Sequence, residues 1–245
     1  FILNFLRDEE GFVVPADATT RRELRQAAIF FGLNVLAAKV YFESDYKGAT
    51  IPANEAQRWA RLQSLDILDT DDTEPHYQNI TNIIAALLNV PIALASLVAE
   101  DHQWFKSKCG IDTCTTPRAF SFCAHTFSPP DVHEASMLVV PDARFDSTFV
   151  DNPLVVGGPH IVFYAGCPLV TSDGLRLGAL CAIDSKPHTI SHFESQVLVN
   201  MAQITVLEIE RNELSHIPKS AGESSYEVGE NEKHFKGGVW RKNRM

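Results

Sequence analysis

The sequence predicts an α+β fold, with an antiparallel sheet whose helices cover one face and whose other face holds a ligand pocket under loops. Three observations carry that expectation. Helix-periodic segments flank the centre of the chain, at Ala53 to Leu65, Pro75 to Leu88 and Ser191 to Leu214. Strand-length apolar or alternating runs fill the middle, and Ser172-Asp173-Gly174 is a hairpin-turn signal between two of them.

Element by element, Ile2, Leu3, Phe5 and Leu6 read as the end of an apolar helix, and Gly11 and Pro15 punctuate a short extended stretch. A second helix is expected from Thr20 as N-cap, with Glu23 at the capping-box spacing. Leu24, Ala27, Ala28 and Phe31 form its apolar face, and Gly32 stops it. These helices need partners that the chain is not expected to supply. Asn34 to Thr50 has no clear period, so 34–51 reads as a linker.

The pattern resets at Pro52. Ala56, Trp59, Ala60 and Leu62 give the next helix its apolar stripe, and Ile80, Ile83, Ile84, Leu87 and Leu88 form the buried face of the one after. Ile92 to Val98 and Gln103 to Lys108 make a hairpin about Glu100-Asp101-His102. Cys109 to Ala119 is a loop, Ser121 caps a short helix to Phe127, and Met137 to Val140 is a strand. Pro141 to Pro159 is a long loop, followed by strands Ile161 to Val170 and Leu175 to Ile183. Ser191 caps the last helix, whose apolar surplus (Phe193, Val197, Ile204 and Leu207 among others) points to a second partner, such as the same helix of another copy. Residues 215–245 are polar and Gly/Ser/Glu-rich and read as a disordered tail.

Composition narrows the function. With 245 residues and 45% hydrophobic content, the chain can bury one good core and a fragment of a second. A net charge of −10 disfavours nucleic acid as partner. No apolar run approaches the roughly 20 residues that span a bilayer, so no membrane partner is expected. The chain starts Phe1-Ile2-Leu3 without Met or a signal-peptide pattern and reads as the middle of something longer. Five cysteines without a secretory signal suggest a reducing, cytoplasmic or nuclear setting.

Ordered blocks after Pro52 resemble a GAF domain, of the type fused to bacterial histidine kinases and diguanylate cyclases. They include Leu65-Asp66-Ile67-Leu68-Asp69-Thr70, Val90-Pro91-Ile92, Gln103-Trp104-Phe105-Lys106, Ser121-Phe122-Cys123-Ala124-His125, Val140-Pro141-Asp142-Ala143, Asp151-Asn152-Pro153-Leu154-Val155 and Gly178-Ala179-Leu180-Cys181. The likeness spans residues 52–214 and implies a small-molecule sensor that dimerises through terminal helices. Residues 1–33, from Ile2-Leu3-Asn4-Phe5 to Phe31-Gly32-Leu33, resemble the C-terminal part of a BTB/POZ domain of the potassium-channel-tetramerisation type. That likeness implies homo-oligomerisation and, in some members, a cullin-type partner.

The pocket candidates are Trp104, Cys123, His125, Asp142, Phe163 and Tyr164, because a small-molecule cleft is mostly apolar with a few placed polar groups. Strand alternation sends Phe163 and Tyr164 to opposite faces, so only one can meet a ligand. Packing in the core is the equally plain reading of these aromatics. Cys123 and His125, two apart on a helix, point to different sides and make a poor nucleophile–base pair. Cys109, Cys114, Cys123 and His125 have only one interval suited to zinc, so no metal is expected. No cofactor is expected either.

Free methionine-R-sulfoxide reductases also resemble this region, and Cys123 falls where one of their cysteines lies. The loop that carries their attacking cysteine here reads Asp146-Ser147-Thr148-Phe149-Val150-Asp151, without one. The sequence therefore points to a non-catalytic regulator that binds a small ligand and assembles with itself. An interaction scaffold and a thiol-based redox enzyme are the alternatives.

Overall fold

A computed structural model describes residues 1–40, 46–70, 74–127 and 137–216. The expected tail, past His216, lies outside the described residues. Six strands form one sheet in the order β3-β2-β1-β6-β5-β4, every neighbour antiparallel. They are β1 (Ile92–Val98), β2 (His102–Cys109), β3 (Thr115–Pro117), β4 (Leu138–Val140), β5 (Phe163–Val170) and β6 (Arg176–Asp184). The α+β expectation holds. The Cys109 to Ala119 stretch, read as a loop, contributes β3, which is too short to show a period.

Helices α4 (Glu55–Ser64), α5 (Pro75–Leu87) and α7 (His192–His216) cover one face. Leu62, Tyr77, Ile80, Ile84, Leu198, Ala202 and Val206 pack there on Ala93, Ala95, Leu97, Phe163, Ala165 and Leu180. Pro75 occupies the first turn of α5, where its missing N–H costs nothing. Ser191 and Glu194 exchange a capping box at the start of α7: Ser191 N–H donates to Glu194 Oε2 at 2.7 Å, and Glu194 N–H to Ser191 Oγ at 3.2 Å.

Two helix faces differ from expectation. In α4 the deeply buried residues are Arg58 and Leu62, with Trp59 only partly covered. Arg58 is tolerated inside because it donates to Val98 O at 2.6 Å and to both oxygens of Glu55. In α5, Tyr77 and Thr81 take the buried positions, while Ile83 and Leu87 are exposed. Thr81 sits inside because its hydroxyl bonds Ser107 Oγ at 2.7 Å.

The opposite face of the sheet packs Leu94, Val98, Phe105, Tyr164, Cys181 and Ile183 against Phe122, Cys123, Phe127, Phe149, Val155 and Ile161. These come from a 3-10 turn (Cys123–Phe127) and from the 141–162 segment. Ser121 does cap that turn, accepting from Ala124 N–H at 3.0 Å, but the turn is 3-10 rather than α. The long loop carries a one-turn helix, α6 (Pro153–Val156), capped by Asn152, whose Oδ1 accepts from Leu154 N–H at 2.8 Å.

The N-terminal segment holds α1 (Ile2–Arg7), α2 (Ala18–Phe30) and α3 (Asn34–Lys39). Asp17, not Thr20, is the N-cap of α2; its Oδ1 accepts from Thr20 N–H at 2.7 Å. Gly32, at φ 70°, ends it as expected, and Leu33 N–H returns to Ala28 O at 2.7 Å. The stretch read as a linker supplies α3, so the partners that seemed missing are present: Leu36, Ala37 and Val40 pack on Phe5, Phe12, Leu24 and Ala28.

Candidate functional site

The 141–162 segment is a wall with a cavity on each side. Against the sheet, side chains fill nearly all the space. Phe122 and Phe149 stack with centroids 4.1 Å apart and planes within 7°, and Phe122 leans on Tyr164 at 5.1 Å. What remains is about 30 Å³, bordered by Leu94, Phe105, Cys123, Leu154, Ile161 and Tyr164. That is room for about two waters, not for a metabolite.

On the outer side, Arg144, Val155, His160 and Val162 face Arg25 and Ile29 of α2 across a cleft of about 540 Å³. Small-molecule sites usually have about 300–1,000 Å³. Arg25 is buried and donates to Asp151 Oδ1 at 3.0 Å, while Arg144 makes a two-pronged pair with Asp142 at 2.9 and 2.7 Å.

The six expected pocket residues scatter. Tyr164 and Cys123 border the inner cavity, joined by Tyr164 Oη donating to Cys123 Sγ at 3.2 Å. Phe163 and Trp104 face the helix-covered core, which corrects their assignment to the pocket. Alternation places Phe163 opposite Tyr164; Trp104 was misplaced because both faces of β2 are buried, so its period gives no sign. His125 borders neither cavity. Its Nε2 lies 3.1 Å from Tyr46 Oη and its ring meets Phe149 edge-on at 4.8 Å. Burial lowers its pKa to about 4 against an opposing pull from Asp146, and burial raises that of Tyr46 to about 12. Asp142 is occupied by Arg144 and reaches the outer cleft only through it.

The residues that sequence reasoning missed are Arg25, Arg144 and His160 on the outer cleft, and Cys181 beside Cys123. Arg144 had a local signal, an Asp-x-Arg spacing after a strand; Cys181 had none, since strand pairing alone brings it there. Among the described residues no group of three His, Cys, Asp or Glu side chains converges as a metal site.

The pattern of the GAF domain family matches residues 16–209, most of the chain. The chain belongs to the GAF domain family. The match starts inside the segment likened to a BTB/POZ domain, and nothing supports that second likeness. A relative, a cyclic di-GMP phosphodiesterase of Pseudomonas aeruginosa, is 40% identical over 136 residues, which is 56% of this chain and 22% of the relative. The chain thus spans about a fifth of the length of the curated relative it matches.

Among solved structures, the GAF domain of an Acinetobacter phosphoenolpyruvate-protein phosphotransferase is similar at 12% identity and TM-score 0.46, over 65% of this chain and 95% of that one. A free methionine-R-sulfoxide reductase of Neisseria meningitidis is similar at 14% identity and TM-score 0.47, over 69% and 96%.

The relative overturns one expectation. A non-catalytic protein was expected because no nucleophile–base pair was legible, yet the Pseudomonas relative is named as an enzyme. No helix among the described residues is long and apolar enough to cross a membrane.

Proposed function

We propose that this GAF domain is the sensory input of a signalling protein with a cyclic di-GMP phosphodiesterase output, and that a small anionic molecule in the outer cleft sets that output. The observation that carries the reading is the cleft of about 540 Å³ between α2 and the 144–162 wall. Its size suits a metabolite. Arg25 and Arg144 bring guanidinium groups to it in a chain of net charge −10, and His160 adds an imidazole. Arg144 is already held by a carboxylate, Asp142, so an incoming carboxylate or phosphate exchanges one anion for another. A ligand touching both walls favours the arrangement in which α2 is docked, which is the differential binding a sensor requires. The phosphodiesterase output rests on the Pseudomonas relative. A reducing, cytoplasmic setting suits five free thiols.

The test is thermal unfolding against a panel of cyclic di-GMP, cyclic mononucleotides and small di- and tricarboxylates. One class should raise the melting temperature with concentration, as binding to the folded state alone requires, and Arg144→Gln should abolish the rise. No shift with any class would remove the ligand and leave the second reading, an interaction scaffold. The near-complete filling of the inner cavity by Phe122, Phe149 and Tyr164 favours that alternative.

A further inference from the structure

Cys123 and Cys181 meet across the inner core with their sulfurs 3.8 Å apart. They come from different elements: Cys123 opens the 3-10 turn, and Cys181 sits mid-strand in β6, between Leu94 of β1 and Gly166 of β5. Both are buried, and both are free thiols.

Their surroundings make them unequal. Burial disfavours a thiolate at Cys123, but its side-chain hydrogen bonds with Cys181, Ser96 and Tyr164 outweigh it, holding it below the ordinary thiol value. Cys181, hydrogen-bonded with that sulfur, is pushed well above it, with burial adding to the effect. One sulfur thus leans toward thiolate while its neighbour keeps a proton, the division of labour of an attacking and a resolving thiol.

Cys123 also borders the inner cavity, which tells what can reach it. About 30 Å³ excludes metabolites but admits roughly two water-sized groups, the size of a hydroperoxide.

We propose that Cys123 and Cys181 form a peroxide-responsive dithiol that closes to a disulfide inside the GAF core. The Cys123 thiolate attacks one oxygen of hydrogen peroxide. The O–O bond breaks, the departing hydroxide takes up the proton that Cys123 released, and Cys123 becomes a sulfenic acid with loss of one water. The Cys181 sulfur then attacks the Cys123 sulfur; the S–O bond breaks, and the hydroxyl leaves as water with the Cys181 proton. Two thiols and one peroxide give one disulfide and two waters. The reaction is independent of any ligand in the outer cleft.

Closure has a direction. A disulfide is about 2.05 Å long, so the sulfurs must approach by roughly 1.8 Å. Strand β6 is hydrogen-bonded on both sides, so the 3-10 turn is the part that moves. It carries His125 relative to Tyr46, and it carries the Thr126 carbonyl that accepts from Arg176 Nη1 at 2.7 Å.

The test uses the chain with Cys109→Ser, Cys114→Ser and Cys167→Ala, which keeps only the proposed pair. One equivalent of hydrogen peroxide should take its free thiols from two to none, dithiothreitol should restore them, and peptide mapping should find Cys123 joined to Cys181. Thiols that persist in the folded protein, or vanish only after urea is added, overturn the proposal. Should that variant not fold, differential alkylation and mapping of the unsubstituted chain reads the same linkage, and its absence after peroxide is equally decisive. In Cys181→Ala, dimedone added as the peroxide-treated chain is unfolded in urea, after the peroxide has been removed, should trap a sulfenic acid at Cys123; no adduct there contradicts the assignment of the attacking sulfur.

Discussion

Arg25 Nη1 lies 3.0 Å from Asp151 Oδ1 with both side chains buried, and Arg22 Nε holds the other carboxylate oxygen at 3.0 Å. This pair joins the N-terminal helices to the wall of the GAF domain. It accounts for how a segment with so small a core of its own keeps its place: α2 contributes Leu24 and Ala28 to that core and two guanidinium groups to Asp151.

Asp151→Ala removes the acceptor and leaves Arg25 buried without it. Breaking a buried pair from one side costs about 3–5 kcal/mol; Arg22 is partly exposed and adds little. A loss of about 3 kcal/mol in urea denaturation is expected, with proteolytic cleavage within α2 appearing before global unfolding. An unchanged midpoint and cleavage pattern would mean that α2 is held by its apolar contacts alone. Arg25→Met combined with Asp151→Leu should recover much of the loss, because the charge and its partner leave together.

His125 makes stability depend on pH. Its folded pKa, about 4, is below the ordinary imidazole value of 6.5 because burial disfavours the imidazolium. Above pH 6.5 the ring is neutral in both states and titration changes nothing. As pH falls from about 6.5 through 4, the unfolded chain takes up a proton that the folded one refuses, so stability falls. The loss is about 2 kcal/mol after allowance for the ring's partial exposure. Melting temperatures measured across that window should slope for the native chain and flatten for His125→Asn. Equal slopes would place the titration elsewhere.

Glu55 titrates lower. Burial raises its pKa, but hydrogen bonds and charge from Arg58 and Arg118 outweigh this and bring it from 4.5 to about 2. Arg118 Nη2 donates to Glu55 Oε2 at 3.0 Å and Arg58 Nη2 to Oε1 at 2.7 Å, so one carboxylate neutralises two cations at the edge of the helix face. Its contribution is complete above about pH 4.5 and is lost as pH falls through 2. Glu55→Gln should cost about 2–3 kcal/mol at neutral pH and erase the acid slope between 4.5 and 2. A full slope in the variant would contradict the role given to Glu55.

The legible and illegible parts of the chain divide along physical lines. The helix from Pro75 was legible in its start and extent, but period fixed its face only in part: Ile80 and Ile84 are buried as expected, while Ile83 and Leu87 are exposed and Tyr77 and Thr81 lie inside. In β1, β2, β5 and β6 both faces are buried, so alternation divides residues into two sets without saying which set meets the helices. Phe163 and Tyr164 were correctly separated, but Trp104 fell on the wrong side. Helix α3, six residues long, is too short to show a period and was read as a linker. Thr20 has the capping-box spacing to Glu23, but the cap is Asp17, whose extended backbone and side-chain bond to Thr20 N–H the spacing does not show. The meeting of Cys123 with Cys181 depends on the register of β6 and has no local trace.

Gly166 is what lets Tyr164 lie where it does. The two are on the same side of β5, and a Cβ on Gly166 would strike the Tyr164 ring and its hydroxyl. That ring is fully buried against Phe122 and cannot swing into solvent, so Gly166→Ala must displace it from Cys123. Overpacking of this kind costs about 1–3 kcal/mol. Tyr164→Phe keeps the packing and removes only the hydroxyl bond at 3.2 Å, so its cost should be about 1 kcal/mol. The two substitutions share one cause and should not add: with Tyr164→Leu in place, Gly166→Ala should cost much less than it does alone. Chemical denaturation of the four proteins in that cycle decides the matter, and strict additivity would show that the glycine is needed for some reason other than the tyrosine.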